Sequence, residues 1–164
     1  MPIDAIRQAT EADLHDLHAL LQAAFATQAE RLGLTPETGL LHMAFRDLAE
    51  TEREIDDRTF FMIIADGRPA GCIAIQTDVE PEDGGDGHIG RVAVHPDYRG
   101  RGYARLLLRF AETALWDRGA EKVHLMVVSE LADLVGFYAM QGYETVGHRE
   151  FLGFPVTDME KPLV

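Results

Sequence analysis

The sequence predicts a mixed α/β fold, with a partly parallel central sheet of six to seven strands and about four helices packed on both faces. Stretches of β-branched residues alternate along the chain with amphipathic stretches of helical period. Residues 60–65 and 70–77 are two apolar stretches on either side of Asp66-Gly67-Arg68-Pro69, a turn signal typical of a β-hairpin. A strand-helix-strand pattern then spans about residues 88 to 128. Such a crossover joins parallel strands through a right-handed connection.

The first elements predicted are a short strand, residues 3–7, and two helices. Thr10 and Asp13 form an approximate capping pattern at the start of the first helix. Its apolar stripe follows at steps of three or four residues and consists of Leu14, Leu17, Leu21 and Phe25. The second helix is expected to begin near Thr35-Pro36, because proline suits a first helical turn. The residues that it is expected to bury are Leu41, Ala44, Phe45 and Leu48.

The second half of the chain continues this alternation. Residues 80–87 are acidic and rich in glycine, which predicts a loop before a strand at residues 88–94. A helix over about residues 102–116 ends at Arg118-Gly119, and residues 123–128 form a central strand. Ser129 is expected to cap a last helix that stops at Gly142. Two short strands, about residues 144–149 and 156–161, complete the predicted sheet.

Composition predicts one acidic domain spanning residues 1–164. The chain is 46% apolar and 26% charged, which argues against intrinsic disorder. Its formal net charge of −13 argues against binding to nucleic acid or an anionic membrane, so an anionic ligand requires a local arginine cluster. The longest purely apolar run, Phe60 to Ala65, is far shorter than the roughly 20 residues that span a bilayer.

The single cysteine, Cys72, excludes an internal disulfide and a CxxC metal site. The first residues contain no apolar stretch typical of a secretory signal, so the expected location is the reducing cytoplasm. His15 and His18 share a helical face, but no third ligand is apparent, and no metal is expected.

The most informative segment is Arg99-Gly100-Arg101-Gly102-Tyr103-Ala104, between a predicted strand and a predicted helix. Its glycines permit a tight turn whose N–H groups point the same way, and the helix start adds about half a positive charge. Arg99, Arg101 and Arg105 supply full charges. The segment therefore predicts a phosphate site.

Two better-known glycine loops do not fit this segment. A dinucleotide fingerprint requires a third glycine where the chain has Arg105. A P-loop requires Gly-Lys-Ser/Thr, which the chain lacks.

The pattern Arg-x-x-Gly-x-Ala at Arg99, Gly102 and Ala104, after a strand ending in Val-His-Pro, resembles the pyrophosphate loop of the GNAT superfamily of N-acetyltransferases. The resemblance covers nearly the whole chain. It implies that acetyl-CoA is the co-substrate and that its pantetheine arm pairs with the backbone of the strand before the loop. The coenzyme-binding residues that it implies are Val92, Ala93, Val94, Arg99, Gly100, Arg101, Gly102, Tyr103 and Ala104.

A second motif, residues 136–143, is similar to the end of the fourth helix in that family, whose tyrosine faces the thioester sulfur. The resemblance implies that Tyr138 donates a proton to the departing thiolate. Many relatives carry a coenzyme-binding asparagine early in this helix, whereas residues 129–133 here are Ser-Glu-Leu-Ala-Asp. No coenzyme contact is expected from those five residues.

The acceptor amine must lose a proton before it attacks, because an alkylamine is almost wholly charged at neutral pH. His88 is the first candidate base, since it begins the strand expected to hold the acetyl group and a histidine titrates near working pH. Glu80, Asp86 and Glu130 are weaker candidates. A backbone N–H near Val92 or Ala93 is expected to hold the developing oxyanion.

The leading functional hypothesis is an acetyl-CoA-dependent N-acetyltransferase, in which a primary amine of a small molecule or protein attacks the thioester directly. The acidic composition favours a cationic acceptor. A homodimer is possible because relatives often dimerise. The alternative is a non-catalytic module that senses acyl-CoA or binds a partner.

Overall fold

The computed structural model describes residues 3–39, 42–77 and 85–163, which contain seven strands and four α-helices. The strands are β1 (Ile3–Gln8), β2 (Thr59–Ala65), β3 (Arg68–Thr77), β4 (Asp86–Val94), β5 (Lys122–Val128), β6 (Glu144–Phe151) and β7 (Phe154–Pro162). The helices are α1 (Leu14–Arg31), α2 (Leu48–Asp57), α3 (Tyr103–Asp117) and α4 (Ala132–Met140). Short 3₁₀ turns lie at Glu11–Asp13, Met43–Phe45 and Pro96–Tyr98.

The strands hydrogen-bond in the order β1-β2-β3-β4-β5-β7-β6. β1 and β2 are antiparallel, as are β5 with β7 and β6 with β7. β4 and β5 are parallel, and α3 forms the crossover between them. The predicted fold class, a mixed and partly parallel sheet with helices, is confirmed.

The chain divides into two compact units. The first comprises Met1–Ala74 and Arg91–Ala111. In its core, the apolar face of α1 packs on the sheet, and the buried residues are Ala9, Leu17, Leu20, Leu21, Ala24, Phe60, Met62, Cys72, Ala74 and Ala93. Full burial of each large apolar side chain stabilises the fold by roughly 1.5–3 kcal/mol. This core fixes β4 from Arg91 onward, the part of the strand that precedes the predicted phosphate loop.

The second unit comprises Ile75–Gly90 and Glu112–Val164. Alternate residues of β5 are buried, as period-two side-chain alternation requires, and these are Val123, Leu125 and Val127. Gly87 of β4 lies against Leu115 of α3, because a Cβ built on Gly87 would be 2.9 Å from the leucine methyl groups. This glycine therefore lets strand and helix approach closely.

The second helix differs from its prediction. Residues 35–38 form a turn in which Thr35 and Thr38 hydrogen-bond to each other, and α2 begins only at Leu48. Asp47 caps it by accepting the N–H of Glu50 at 2.9 Å. The prediction was wrong because a proline-containing turn and a first helical turn share the same residues.

Ser129 does not cap the last helix, which begins at Ala132 without a side-chain cap. Its hydroxyl lies 2.9 Å from the Thr157 hydroxyl instead. The predicted acidic loop also ends earlier than expected, since Asp86 and Gly87 already belong to β4. Glu80 lies outside the described residues. No described helix is both long and apolar enough to cross a membrane.

Candidate active site

The predicted phosphate loop, residues 99–102, connects the turn Pro96–Tyr98 to α3. Gly100 and Gly102 both have φ of +79°, a left-handed backbone conformation that residues other than glycine adopt only at an energetic cost. A Cβ built on either glycine would meet no heavy atom within 4 Å. The loop thus presents its backbone to open space, as a phosphate cradle requires.

The N-terminus of α3 faces the same space. Leu106 donates to the carbonyl of Gly102 at 3.1 Å, which starts the helical hydrogen-bond ladder. The N–H groups of the preceding turn therefore point out of the helix end and carry its positive partial charge.

The three arginines of this segment are exposed, but they have different surroundings. The Arg99 guanidinium turns to α1, where it donates to the Ala24 carbonyl at 3.0 Å and the Thr27 hydroxyl at 3.1 Å. The Arg101 guanidinium lies over the Tyr98 ring, 5.0 Å from its centroid. Arg99 thus anchors the loop to α1, while Arg101 and Arg105 present charge to solvent.

Two buried tyrosines support the loop from behind. Tyr103 stacks on Tyr98 with 6.2 Å between ring centroids, and the Tyr98 hydroxyl donates to the Ala65 carbonyl at 3.3 Å. Tyr103 is 5% exposed, so its backbone alone faces the loop's open side. Ala104 is partly buried one residue further along α3.

The strand before the loop carries the remaining predicted coenzyme contacts. Ala93 is buried in the core of the first unit, and Val92 and Val94 are partly exposed. β4 pairs with β5 over Asp86, Gly87 and His88. Arg91 has φ of +53°, which interrupts the extended backbone directly before Val92. All nine predicted coenzyme-binding residues therefore belong to the first unit.

His88, the candidate base, is an exposed residue of β4 in the second unit. Its ring stacks on His124 at 5.4 Å between centroids and 20° between planes. His124 Nε2 lies 2.9 Å from Asp86 Oδ2, and His124 Nδ1 lies 2.9 Å from Glu160 Oε1. The two carboxylates hold the His124 ring in place. Because Asp86 is paired with His124, it is not a free base.

Tyr138, the candidate proton donor, is a partly buried residue of α4 in the second unit. Its ring makes edge contacts with Phe137 at 5.2 Å and Tyr143 at 6.0 Å. No hydrogen bond to its hydroxyl is formed within the described part of this unit, and no described buried polar side-chain atom lacks a partner. The hydroxyl is therefore accessible. Burial of the side chain raises its pKa, which keeps it protonated at neutral pH.

One polar cluster of the first unit escaped prediction. Arg91 of β4 donates two hydrogen bonds to Glu54 of α2, and Arg46 donates another. The cluster joins segments 37 residues apart, so no local motif reveals it.

The family model described as the acetyltransferase (GNAT) family matches residues 29–143. The chain belongs to this family. The resemblance expected from the Arg99–Ala104 segment and from the end of α4 is thereby confirmed, because both lie inside the matched region.

Known proteins extend this assignment. An acetyltransferase of Pectobacterium atrosepticum is 46% identical over 66 residues, which are 38% of this chain and 47% of the relative. The chain thus spans about half the length of the curated relatives it matches.

Solved structures share the fold along nearly the whole chain. The PaiA N-acetyltransferase of Thermoplasma acidophilum in complex with coenzyme A has a TM-score of 0.76, 20% identity and 99% coverage of both chains. The ribosomal-protein-S18-alanine N-acetyltransferase of Escherichia coli has a TM-score of 0.75 and 19% identity, covering 97% of this chain and 93% of its own.

Proposed function

We propose that the protein is an acetyl-CoA-dependent N-acetyltransferase, which transfers the acetyl group to a primary amine by direct attack of the amine on the thioester. The observation that carries this proposal is the open backbone cradle at Gly100 and Gly102, at the start of α3. A cradle of this kind, flanked by arginines, binds a diphosphate such as that of coenzyme A.

The backbone of this segment does most of the binding. The N–H groups of the loop and of the first turn of α3 hold the diphosphate, and Arg101 and Arg105 add charge. The backbone of Val92, Ala93 and Val94 pairs with the pantetheine arm. A backbone N–H near Val92 or Ala93 also holds the oxyanion that develops on the acetyl carbonyl.

Two side chains of the second unit move the protons. His88 accepts the proton of the acceptor ammonium on a ring nitrogen, directly or through a water molecule. Tyr138 donates its proton to the departing thiolate. Its hydroxyl has no hydrogen-bond partner among residues 3–39, 42–77 and 85–163, and burial of the side chain raises its pKa, which supports this role.

Calorimetry with acetyl-CoA tests the coenzyme site. Replacing Gly102 by valine forces a β-branched residue into a left-handed backbone and adds atoms to the cradle, so we expect Kd to rise at least about tenfold. Gly67→Val is the matched control, because Gly67 has φ of +69°, lies in open space and belongs to the β2–β3 turn. Equal affinity in wild type and Gly102→Val would place the phosphate site elsewhere.

Release of free coenzyme A with a panel of primary amines tests the reaction. Amine-dependent release by the wild type, with a large loss in Tyr138→Phe and intact acetyl-CoA binding, is the expected result. Tight binding of acetyl-CoA without release from any amine would favour the sensing module instead. The net charge of −13 favours a cationic amine as acceptor.

A further inference from the structure

The polar cluster formed by Arg46, Arg58, Arg91 and Glu54, here called the arginine cluster, lies in the first unit. Arg91 holds Glu54 with a fork, Nε to Oε2 at 3.0 Å and Nη2 to Oε1 at 2.7 Å. Arg46 Nη1 donates to the same Oε1 at 2.7 Å. The side chains of Arg46, Arg91 and Glu54 are only 18%, 16% and 13% exposed. A partly buried carboxylate thus faces more guanidinium groups than it can neutralise.

The pKa shifts of Glu54 and Arg58 also indicate an excess of positive charge in the cluster. Burial opposes the ionisation of Glu54, but Arg91, Arg46 and Arg58 outweigh it and lower the pKa of the carboxyl. Burial and the charges of Arg91 and Arg46 lower the pKa of Arg58, although the negative charges of Glu54 and Asp57 act to raise it. Glu50 lies further out, with its carboxylate 3.6 Å from Arg46 Nε and its side chain 35% exposed. The interior of the cluster is short of negative charge.

Arg91 is also strained. Its φ of +53° lies in the left-handed region, which costs a residue with a long side chain of order 1–3 kcal/mol. The Cys72 thiol, which donates to the Arg91 carbonyl at 3.4 Å, and the fork to Glu54 hold this conformation. Strain of this kind persists where a functional geometry is over-determined by its surroundings. Here it places a guanidinium one residue before Val92, in the strand assigned to the acetyl group.

Donors of the cluster remain available to a ligand. The contacts to Glu54 use Nε and Nη2 of Arg91 and Nη1 of Arg46. Among the described residues, Arg91 Nη1 and Arg46 Nη2 have no hydrogen-bond partner, and no described buried polar atom is unpaired, so both donors are accessible. Both guanidinium groups contact the same Glu54 carboxylate, and the donors that each leaves unused suit the oxygens of a second, planar carboxylate.

We infer that the arginine cluster binds a carboxylate of the amine acceptor. This inference rests on the proposed function and narrows its substrate class to primary amines that carry a nearby carboxylate, such as amino acids. The same positive charge helps the chemistry, because it lowers the pKa of an ammonium group bound beside it and so favours the neutral, nucleophilic amine. An amine without an anionic group cannot make the carboxylate contact with the arginine cluster.

Turnover on paired acceptors tests the inference. The wild type is assayed with common amino acids and with the amide of each, and we expect kcat/KM to favour the free acid. In Arg46→Gln, KM for the acid should rise about tenfold or more relative to KM for the amide, which removes the preference. A merely structural effect would change both acceptors alike. Arg53→Gln is the matched control, because Arg53 is an exposed arginine of α2, the helix that carries Glu54.

A binding measurement keeps the inference separate from the proposed function. Calorimetry of the coenzyme A-loaded protein with N-acetyl amino acids is expected to show binding that Arg46→Gln abolishes, whereas the Kd of acetyl-CoA stays unchanged in the variant. Equal turnover of acids and amides overturns the inference and leaves the function standing. Absence of turnover with every amine overturns the function, and the inference then fails if no N-acetyl amino acid binds. A higher Kd for acetyl-CoA in Arg46→Gln would assign the cluster to coenzyme binding and would also overturn the inference.

Discussion

The hydroxyl of Tyr143 donates a hydrogen bond to Glu112 Oε2 over 2.8 Å. Lys161 Nζ holds the other oxygen of the same carboxylate at 2.9 Å. Burial raises the pKa of Tyr143, and the negative charge of Glu112 raises it further. Tyr138 packs against the Tyr143 ring but has an accessible hydroxyl. The two tyrosines near the end of α4 therefore differ, because the Tyr143 hydroxyl is anchored to Glu112 and the Tyr138 hydroxyl has no hydrogen-bond partner among the described residues.

Removal of each hydroxyl separates these roles. Tyr138→Phe should lower kcat by about 10²-fold, the size of a general acid's contribution, and change the free energy of unfolding by less than about 0.5 kcal/mol. Tyr143→Phe should keep kcat within a few-fold and cost about 1–2 kcal/mol of stability, because it leaves Glu112 short of a donor. Coenzyme A release and urea unfolding measure the two effects. The opposite pattern would exchange the assignments.

His88 gives a prediction about pH. Without a base, only the neutral fraction of the acceptor amine reacts, and that fraction rises about tenfold per pH unit below the amine pKa. His88→Gln should therefore lower kcat/KM about 10²-fold at pH 7, and the deficit should shrink as the pH rises. The control is His15→Gln, an exposed histidine of α1. Parallel pH profiles for wild type and His88→Gln would remove His88 from the mechanism.

Local patterns predict much of this fold. The hairpin of β2 and β3, the crossover through α3 and the apolar stripe of α1 follow from periodicity and turn residues. The helix α2 does not, because its ten residues contain few apolar positions to reveal a period. Asp47, three residues before Glu50, is the one capping signal that marks its start.

The candidate site divides in the same way. The phosphate loop is one continuous segment whose glycines and arginines carry the motif, so the sequence alone predicts it. The arginine cluster depends on Glu54 meeting Arg91 from a distant segment, and on a left-handed backbone at a residue other than glycine. Neither feature leaves a local pattern. The anchoring of Arg99 to α1 is likewise a product of tertiary packing.

Cys72 is predicted to be chemically silent. It is fully buried, and burial raises the pKa of its thiol, which suppresses the reactive thiolate. A disulfide reagent should leave the folded protein unmodified and label one thiol per chain after unfolding. Cys72→Ala should retain kcat and lose about 1–2 kcal/mol of stability from the small cavity that it leaves. Rapid labelling of the folded protein, with loss of turnover, would instead indicate a nucleophilic cysteine.

The start of α1 contains an ion pair that links stability to pH. Arg7 Nη1 and Nη2 each donate to the Asp13 carboxylate at 2.8 Å, and the Thr10 N–H donates to it as well. The hydrogen bonds from Arg7 lower the pKa of Asp13 to about 2, although burial acts in the opposite direction. The unfolded chain thus takes up a proton near pH 4, before the folded protein does.

Asp13→Asn should therefore destabilise the protein in a pH-dependent way. Because the folded-state pKa lies below the ordinary value, the ionised carboxylate stabilises the fold above about pH 4, and this contribution disappears as the pH falls towards 2. At pH 7 we expect the free energy of unfolding to fall by an amount on the order of 1–2 kcal/mol, since Arg7 is half exposed and water screens part of the interaction. Urea unfolding of wild type and variant at pH 7, 4 and 3 measures the difference, with the exposed Asp16→Asn as control. A difference that stays constant down to pH 3 would show that Asp13 acts through its neutral hydrogen bonds, with no contribution from its charge.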